Sequence, residues 1–292
     1  MKIAIYSRII EGDNNSDIQH FFDELEKQNI EAVVFLPLME QLRGIVRLPK
    51  TTTSFYLSED LNNEIDYVVS LGGDGTLLDA VTLVRDKGIP ILGINFGRLG
   101  FLASIGRDQM EGVVKAFSNR TFVVDKRTLI HLDANISMFG PVPFALNEFA
   151  IHKRDTASMI KIHTYLNGEF LNTYWADGLI VSTPTGSTGY SLSCNGPIVF
   201  PDSGSFVITP VAPHNLNVRS IVVPDNNVIS FEVESRIEQI ICAMDSRREI
   251  VSKDVQLAVK KENFSLNLLR PAENNFLQTL QHKLTWGLDR RN

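Results

Sequence analysis

Asp66-Tyr67-Val68-Val69-Ser70-Leu71-Gly72-Gly73-Asp74-Gly75-Thr76-Leu77-Leu78 joins a short apolar run to a glycine-rich turn and then to the start of a helix. An apolar run with no polar alternation reads as a strand buried on both faces of a parallel sheet, and Thr76–Arg85 reads as the helix that follows it. Parallel sheets place ligands at the carboxyl ends of their strands. There glycines let a phosphate approach the backbone and a helix N-terminus favours its charge. Gly72, Gly73, Gly75 and Thr76 are therefore candidate phosphate-binding positions. The turn is not the usual dinucleotide fingerprint, because Leu78 stands where a third glycine or alanine belongs, and it is not a P-loop, because no Gly-Lys-Ser/Thr follows. Asp74 would repel a bare phosphate, which points to a metal ligand, a base or both. The competing structural role is a tight turn in which Asp74 is bonded to backbone donors.

Outward from this stretch the chain keeps alternating. Lys2–Tyr6, Glu31–Leu36 and Ile89–Asn95 read as further strands, and Ser16-Asp17-Ile18-Gln19 as a capping box opening a helix with Ile18, Phe21, Phe22 and Leu25 on its apolar face. Arg43–Asn63, with Pro49 and three consecutive threonines, reads as an irregular, mobile connection. The first region is thus predicted to be α/β, a parallel, Rossmann-like sheet covered by helices. After a helix at about Asp108–Ser118 the texture changes near Thr121. Lys161–Leu166, Asn167-Gly168 and Glu169–Trp175 form a two-residue hairpin signal, and strands are predicted at Phe206–Val211, Ile221–Val223, Val228–Val233, Gln239–Met244 and Val255–Val259. This second region is mainly β. Phe276–Trp286 returns to helical spacing through Leu277, Leu280 and Leu284, with Gly287 placed to cap it. The expected domains are 1–120 completed by 271–292, and 121–270.

Two domains also suit 292 residues at about 150 per domain. With 43% hydrophobic and 21% charged residues, the chain reads as an ordinary soluble globular protein. Met1–Asp13 has too short an apolar stretch and no small-residue cleavage site for a signal peptide, so a cytoplasmic location is expected. Cys194 and Cys242 belong to no C-x-x-C pair and are expected to be reduced. A formal charge of -6 argues against broad electrostatic binding to nucleic acid, though not against a phosphorylated small molecule. The six histidines show no ligand spacing, and only Pro213-His214-Asn215 has a distinctive loop context.

Three further segments carry chemistry. Asn95-Phe96-Gly97-Arg98-Leu99-Gly100-Phe101 would lie beside the first turn, offering Arg98 to a phosphate and Phe101 as a base-stacking surface. Asp177–Ser193 gathers hydroxyls and glycines around Tyr190, which suits a ribose and a base edge as well as an ordinary Ser/Thr-rich loop. Asn147-Glu148 interrupts the otherwise apolar strand Phe144–Ile151, and a carboxylate without a partner in such a strand is costly.

Gly72–Thr76, Asn147-Glu148, Asp177–Ser193 and Pro210–Pro224 occur in the order seen in NAD kinases, and the resemblance runs from Lys2 to about Arg248. It implies the NAD kinase/diacylglycerol kinase-like fold, and an active site between the two domains, formed within a homodimer or homotetramer. The implied reaction transfers the γ-phosphoryl group of ATP, or that of another phosphoryl donor such as polyphosphate, to the 2′-hydroxyl of the adenosine ribose of NAD, with a divalent cation, Mg²⁺, on the donor phosphates. Asp74 matches the proton acceptor, Asn147 and Glu148 the pair that holds the acceptor ribose, and Asp177 a contact near the nicotinamide end. Gly75, Phe101, Trp175, Arg247 and the run Thr188, Gly189, Tyr190, Ser191, Leu192 and Ser193 fall at further dinucleotide contacts. Two positions depart: Arg247 stands where a neutral amide is common, and Trp175 where several relatives carry a basic residue. A lipid kinase shares the Gly-Gly-Asp-Gly turn, yet the chain has no basic amphipathic helix and no lipidation signal. A non-catalytic dinucleotide sensor would keep the pocket without the transfer.

Overall fold

A computed structural model of the chain describes residues 1–8, 14–97, 100–103, 105–155 and 158–286. The chain divides into two compact units, Met1–Lys126 with Leu266–Asn292, and Arg127–Ser265. No helix among the described residues is long and apolar enough to cross a membrane.

The first unit opens with β1 (Lys2–Tyr6), α1 (Asn15–Lys27), β2 (Glu31–Phe35), α2 (Leu36–Leu42) and β3 (Thr53–Phe55). It continues with β4 (Tyr67–Leu71), α3 (Asp74–Val84), β5 (Ile91–Asn95), β6 (Ile105–Gly106) and α4 (Met110–Asn119). The strands lie in the order β3-β2-β1-β4-β5, all parallel, with β6 parallel to β5. Alternate residues divide between the two faces. Ile3, Ile5, Val69, Leu71, Leu92 and Ile94 meet α1 and α4 through Ile18, Phe21, Phe22, Val114 and Phe117. On the other face α3 lies against β4 and β5, and a Cβ on Gly93 would come within 2.8 Å of Leu77 Cδ1, so glycine lets the helix approach.

Several boundaries differ from the sequence expectations. Ser16 is inside α1, whose cap residue is Asn14, its side-chain oxygen accepting from Arg107 at 3.1 Å and not from the helix; the Gln19 amide serves Arg47 N at 2.6 Å and Asp23 at 2.8 Å. Helix α2 was hidden behind the predicted strand end at Leu36, although Pro37 in its first turn is a start signal. The segment read as irregular holds the edge strand β3, whose only inward residue is Phe55. A single buried position cannot show a period.

The second unit contains β7 (Val123–Ala134), β8 (Phe144–Ala145), β9 (Glu148–Lys153), β10 (Ile160–Leu166), β11 (Glu169–Ala176) and β12 (Gly178–Ser182). After a single helical turn, α5 (Tyr190–Ser193), follow β13 (Ser205–Val211), β14 (Ile221–Pro224), β15 (Ile229–Glu234), β16 (Gln239–Met244), β17 (Arg247–Ser252) and β18 (Leu257–Arg270). One antiparallel sheet runs β14-β13-β12-β9-β16-β17. The other contains β11-β10-β15-β18. Phe149, Phe206 and Ile240 of the former pack against Ile162, Tyr174 and Phe231 of the latter in one core. The predicted hairpin is present, with Asn167 (φ 51°) and Gly168 (φ 85°) in the left-handed conformation its turn needs. Strand β17 was not expected, and β18 extends eleven residues beyond the predicted end at Val259, because a run of three charged residues, Arg247-Arg248-Glu249 in the one and Lys260-Lys261-Glu262 in the other, masks the alternation.

The end of β18 returns to the first unit, pairing Leu268 with Ile91 of β5, and α6 (Phe276–Leu284) follows. Asn275 caps it reciprocally with Gln278, and Leu280 is buried while Leu277 is exposed. Thr285 takes the left-handed position after the helix; Gly287, expected to cap it, lies outside the described residues.

Candidate active site

In the first unit the Gly-Gly-Asp-Gly turn leaves the carboxyl end of β4, beside β5, through a bond from Gly72 N to Ile94 O of 2.9 Å. Gly72 has φ +150°, and a Cβ there would stand 2.4 Å from Thr76 Oγ1. Only glycine lets the chain turn this tightly under Thr76. Gly73 is the cap residue of α3, and Asp74 its first residue. Thr76 N and Leu77 N turn back onto Gly73 O at 3.0 and 3.2 Å.

The Asp74 carboxylate reaches across to the second turn. Its Oδ2 accepts the Phe101 N–H at 2.9 Å, and its Oδ1 accepts those of Leu102 and Ala103 at 3.0 and 2.9 Å. A Cβ on Gly100 would lie 1.8 Å from Oδ1, so the carboxylate sits where only glycine leaves room. The backbone-bonded geometry weighed above is therefore present. A carboxylate offers about four lone-pair directions, and among the described residues three are used, which leaves one on Oδ2. Asp74 is thus an oriented group that can still accept one proton or ligand.

Phe101 is half-buried, with Lys283 Nζ 5.9 Å from its ring centre. Arg98 lies outside the described residues. A cation that sequence reasoning missed stands nearby: Arg8, just past β1, forms an ion pair with Asp79 of α3, and its Nη1 lies 3.7 Å from where a Cβ on Gly75 would be. Ser7 donates its hydroxyl to Leu71 O at 2.7 Å and closes the same strand end. The signal was topological, since the end of β1 neighbours that of β4 in the sheet.

In the second unit the expected strand Phe144–Ile151 is broken into β8 and β9, and the break is Leu146-Asn147. Asp245, in the turn between β16 and β17, closes it. Its carboxylate accepts the N–H groups of Leu146, Asn147 and Glu148 at 2.9, 2.8 and 3.1 Å, and its own N–H donates to Glu148 O at 3.1 Å. From the other side Thr183 N donates to Asn147 O at 2.8 Å and the Thr183 hydroxyl to Leu146 O. Gly186 is pressed against the same backbone: a Cβ there would lie 2.0 Å from Asn147 O.

Glu148 Oε2 and Asn147 Nδ2 lie 3.2 and 3.7 Å from where a Cβ on Gly189 would be, which brings Asn147, Glu148, Gly189 and Tyr190 together. Burial, and secondarily the charge of Asp245, pushes the Glu148 carboxyl up to about 8. Burial also pushes Asp245 up, opposed by its three N–H bonds and by Arg247. Tyr190 stacks obliquely on His152, ring centres 5.6 Å apart, and burial pushes the His152 imidazole down. Asp177 pairs with Lys153 at 2.6 Å.

The hydroxyl-rich run is not a plain loop but a 3₁₀ turn, Thr185–Thr188, followed by α5. Part of it is internal scaffolding. Ser187 bonds Pro184 O and Val199 N at 2.7 and 3.0 Å, and the buried Ser191 hydroxyl bonds Thr209 at 2.9 Å. Thr188 donates to Thr185 O at 3.1 Å and keeps its lone pairs. Leu192 is half-buried and Ser193 exposed. Arg247 donates to the carbonyls of Val142 and Phe144 and lies over the Phe139 ring. Trp175 is exposed and stacked on His214, ring centres 4.2 Å apart. It borders a cavity of about 540 Å³ with Lys161, Glu234 and Arg236. Cys194 and Cys242 are free.

The sequence matches the ATP-NAD kinase N-terminal domain over residues 19–122 and the ATP-NAD kinase C-terminal domain over residues 146–270. It is 48% identical to an NAD kinase of Cytophaga hutchinsonii and 44% identical to one of Flavobacterium psychrophilum, each over the whole of both chains. Among solved structures it is similar to yeast NADH kinase complexed with NADH, with a TM-score of 0.89 at 22% identity, covering 99% of this chain and 89% of that one. It is also similar to an NAD kinase from Archaeoglobus fulgidus in complex with ATP, with a TM-score of 0.78 at 25% identity, covering 98% and 99%. The α/β unit with its parallel sheet, the mainly β unit and these full-length matches place the chain in the NAD kinase family.

Proposed function

We propose that the chain is an NAD kinase, transferring the γ-phosphoryl group of ATP to the 2′-hydroxyl of the adenosine ribose of NAD to give NADP. The observation that carries this reading is Asp74, fixed by three N–H bonds at the start of α3 with one lone pair left on Oδ2. In the reaction the ribose 2′-oxygen forms a bond to the γ-phosphorus while the bond to the β,γ-bridging oxygen breaks, and ADP leaves. The hydroxyl proton passes to Asp74 Oδ2 and from there to solvent. A carboxylate, with an ordinary pKa near 4, is a weak base for a sugar hydroxyl. Its contribution is to orient the nucleophile and take the proton late.

Gly72, Gly73, Gly75 and Thr76 line the donor phosphates in this proposal, with Arg98 and Arg8 as cations. Asn147 and Glu148 hold the acceptor ribose; Thr188, Gly189, Tyr190 and Ser193 the adenosine; Asp177 the nicotinamide end. Among the described residues no group of three or more His, Cys, Asp or Glu side chains forms a metal cage. A divalent cation, Mg²⁺ here, therefore fits as an ion held mainly by the triphosphate, with Asp74 the protein carboxylate at hand. It would supply neutralisation of the phosphate charge. A cytoplasmic homodimer or homotetramer, with no nucleic-acid or membrane partner, completes the proposal. Purified protein incubated with ATP, Mg²⁺ and either NAD or a lipid alcohol tests it. NADP is the expected product; lipid phosphate without NADP, or NAD binding without turnover, would overturn it.

A further inference from the structure

Glu148 presents two unusual features beyond its place in the acceptor pair. Its Oε2 is buried and accepts no hydrogen bond from the described residues, although it lies 3.2 Å from where a Cβ on Gly189 would be, where glycine leaves it room. A second carboxylate, Asp245, faces the same backbone from the β16–β17 turn. The charge of Asp245 is felt at the Glu148 carboxyl; two carboxylates that interact do not both ionise cheaply, and the proton resides on the one with fewer donors. Asp245 has three N–H bonds and the Arg247 guanidinium in its favour.

We propose that Asp245 is a positioning residue for the acceptor sugar: its carboxylate fixes the broken strand that carries Asn147 and Glu148, and its negative charge, added to burial, keeps Glu148 a neutral acid that both donates to and accepts from the ribose. This rests on the NAD kinase reading and deepens it. The other groups around Glu148 do not replace Asp245 in this role. Its neighbour across β12 is the neutral Ser182, and across the β8–β9 break lie apolar residues. On the α5 side stand the Tyr190 N–H, which favours ionisation, and Cys194, itself pushed up by burial. Asp177 faces His152 and Tyr190, and is paired with Lys153. A neutral Glu148 also removes a negative charge from a pocket that must accept an anionic dinucleotide.

The experiment follows kcat/KM for NAD against pH in the wild type, E148Q and D245N. In the wild type the value falls as pH rises through about 8, the point to which Glu148 is pushed. Because removing a like charge favours ionisation, D245N moves that fall to lower pH by about half a unit or more, roughly threefold in proton affinity. E148Q, permanently neutral, lacks the fall. A D245N profile lowered uniformly with its inflection unmoved would overturn the proposal, since a merely structural role predicts that outcome. Carboxyl ¹³C titration of the wild type gives an answer even if D245N does not fold. Glu148 protonated and Asp245 ionised at pH 6 supports the proposal, and the reverse assignment sinks it. A wild type that makes no NADP defeats the kinase reading itself, whereas NADP formation with an unmoved inflection defeats only this inference.

Discussion

The Asp74 turn and the Asn147–Glu148 clamp solve the same problem, holding a carboxyl group in one orientation, by opposite means. In the turn, the carboxyl is held by N–H groups of the segment that follows β5, and glycines at 72 and 100 supply the room. In the clamp, the backbone is held by a carboxylate from nearly a hundred residues away, and the functional carboxyl is left without a donor on Oε2. The first arrangement leaves one lone pair open on Asp74; the second leaves a whole oxygen of Glu148 open. A group that takes a proton late in the reaction wants its geometry fixed. A group that holds a neutral sugar hydroxyl wants its charge suppressed.

The largest expected effect breaks the first side of this comparison. Asp74→Asn keeps the shape but sets an amide N–H against one of the backbone donors and removes the proton acceptor. Turnover should fall by about a hundredfold or more, the scale of a positioned acid–base group, with NAD binding largely kept. Steady-state rates alongside calorimetric binding measure both. Equal losses of turnover and binding would mean that Asp74 only holds the second turn in place.

A smaller effect tests the glycines, which differ between the two regions. A Cβ on Gly186 meets the Asn147 backbone, whereas one on Gly73 meets nothing within 4 Å. Gly186→Ala should therefore shift the clamp, raising KM for NAD by about tenfold and costing stability, on the order of 1–3 kcal/mol for overpacking. Gly73→Ala should leave the melting temperature nearly unchanged and raise KM for ATP, because a Cβ there meets no protein atom and obstructs only the close approach of a phosphate. A Gly73→Ala protein with normal ATP affinity would show that the donor does not approach the backbone there.

The two regions were also unequally legible. Tyr67 to Leu78 carries its structure locally: an apolar run, glycines and a helix start lie within a dozen residues, so both the α/β class and the site could be read there. The partner of Asp74 could be foreseen only as the next turn, because N–H donors carry no side-chain signature. In the clamp, Asn147-Glu148 was visible as a polar interruption, but Asp245 was not. An aspartate in a hairpin turn ordinarily faces water, and nothing in Met244-Asp245-Ser246-Arg247 says that this one turns inward with φ 51°. Likewise Ser187 and Ser191 resemble ligand groups in sequence, and only packing shows that their hydroxyls are used internally. Arg247 was conspicuous as an extra cation, and its guanidinium meets carbonyls of the strand beside it. Contacts between distant segments write no period into either of them.

The smallest effect on catalysis belongs to a test of stability, which follows from the charge suppressed in the clamp. Glu148 has a folded-state pKa raised to about 8 from an ordinary 4.5, chiefly by burial. Below 4.5 the group is protonated in both states and its burial costs nothing electrostatic. Between 4.5 and 8 the unfolded chain releases the proton while the folded chain keeps it, so stability falls as pH rises through that window. Glu148→Gln has no such proton. The wild type should lose on the order of 10 °C of melting temperature relative to E148Q on going from pH 5 to pH 8, since about three pH units inside that window are worth roughly 4 kcal/mol, at about 2–4 °C per kcal/mol for units of this size. Thermal unfolding of both proteins at the two pH values measures the difference. Parallel curves would mean that Glu148 ionises freely in the folded protein, and the contrast between an oriented anion at Asp74 and a neutral acid in the clamp would collapse.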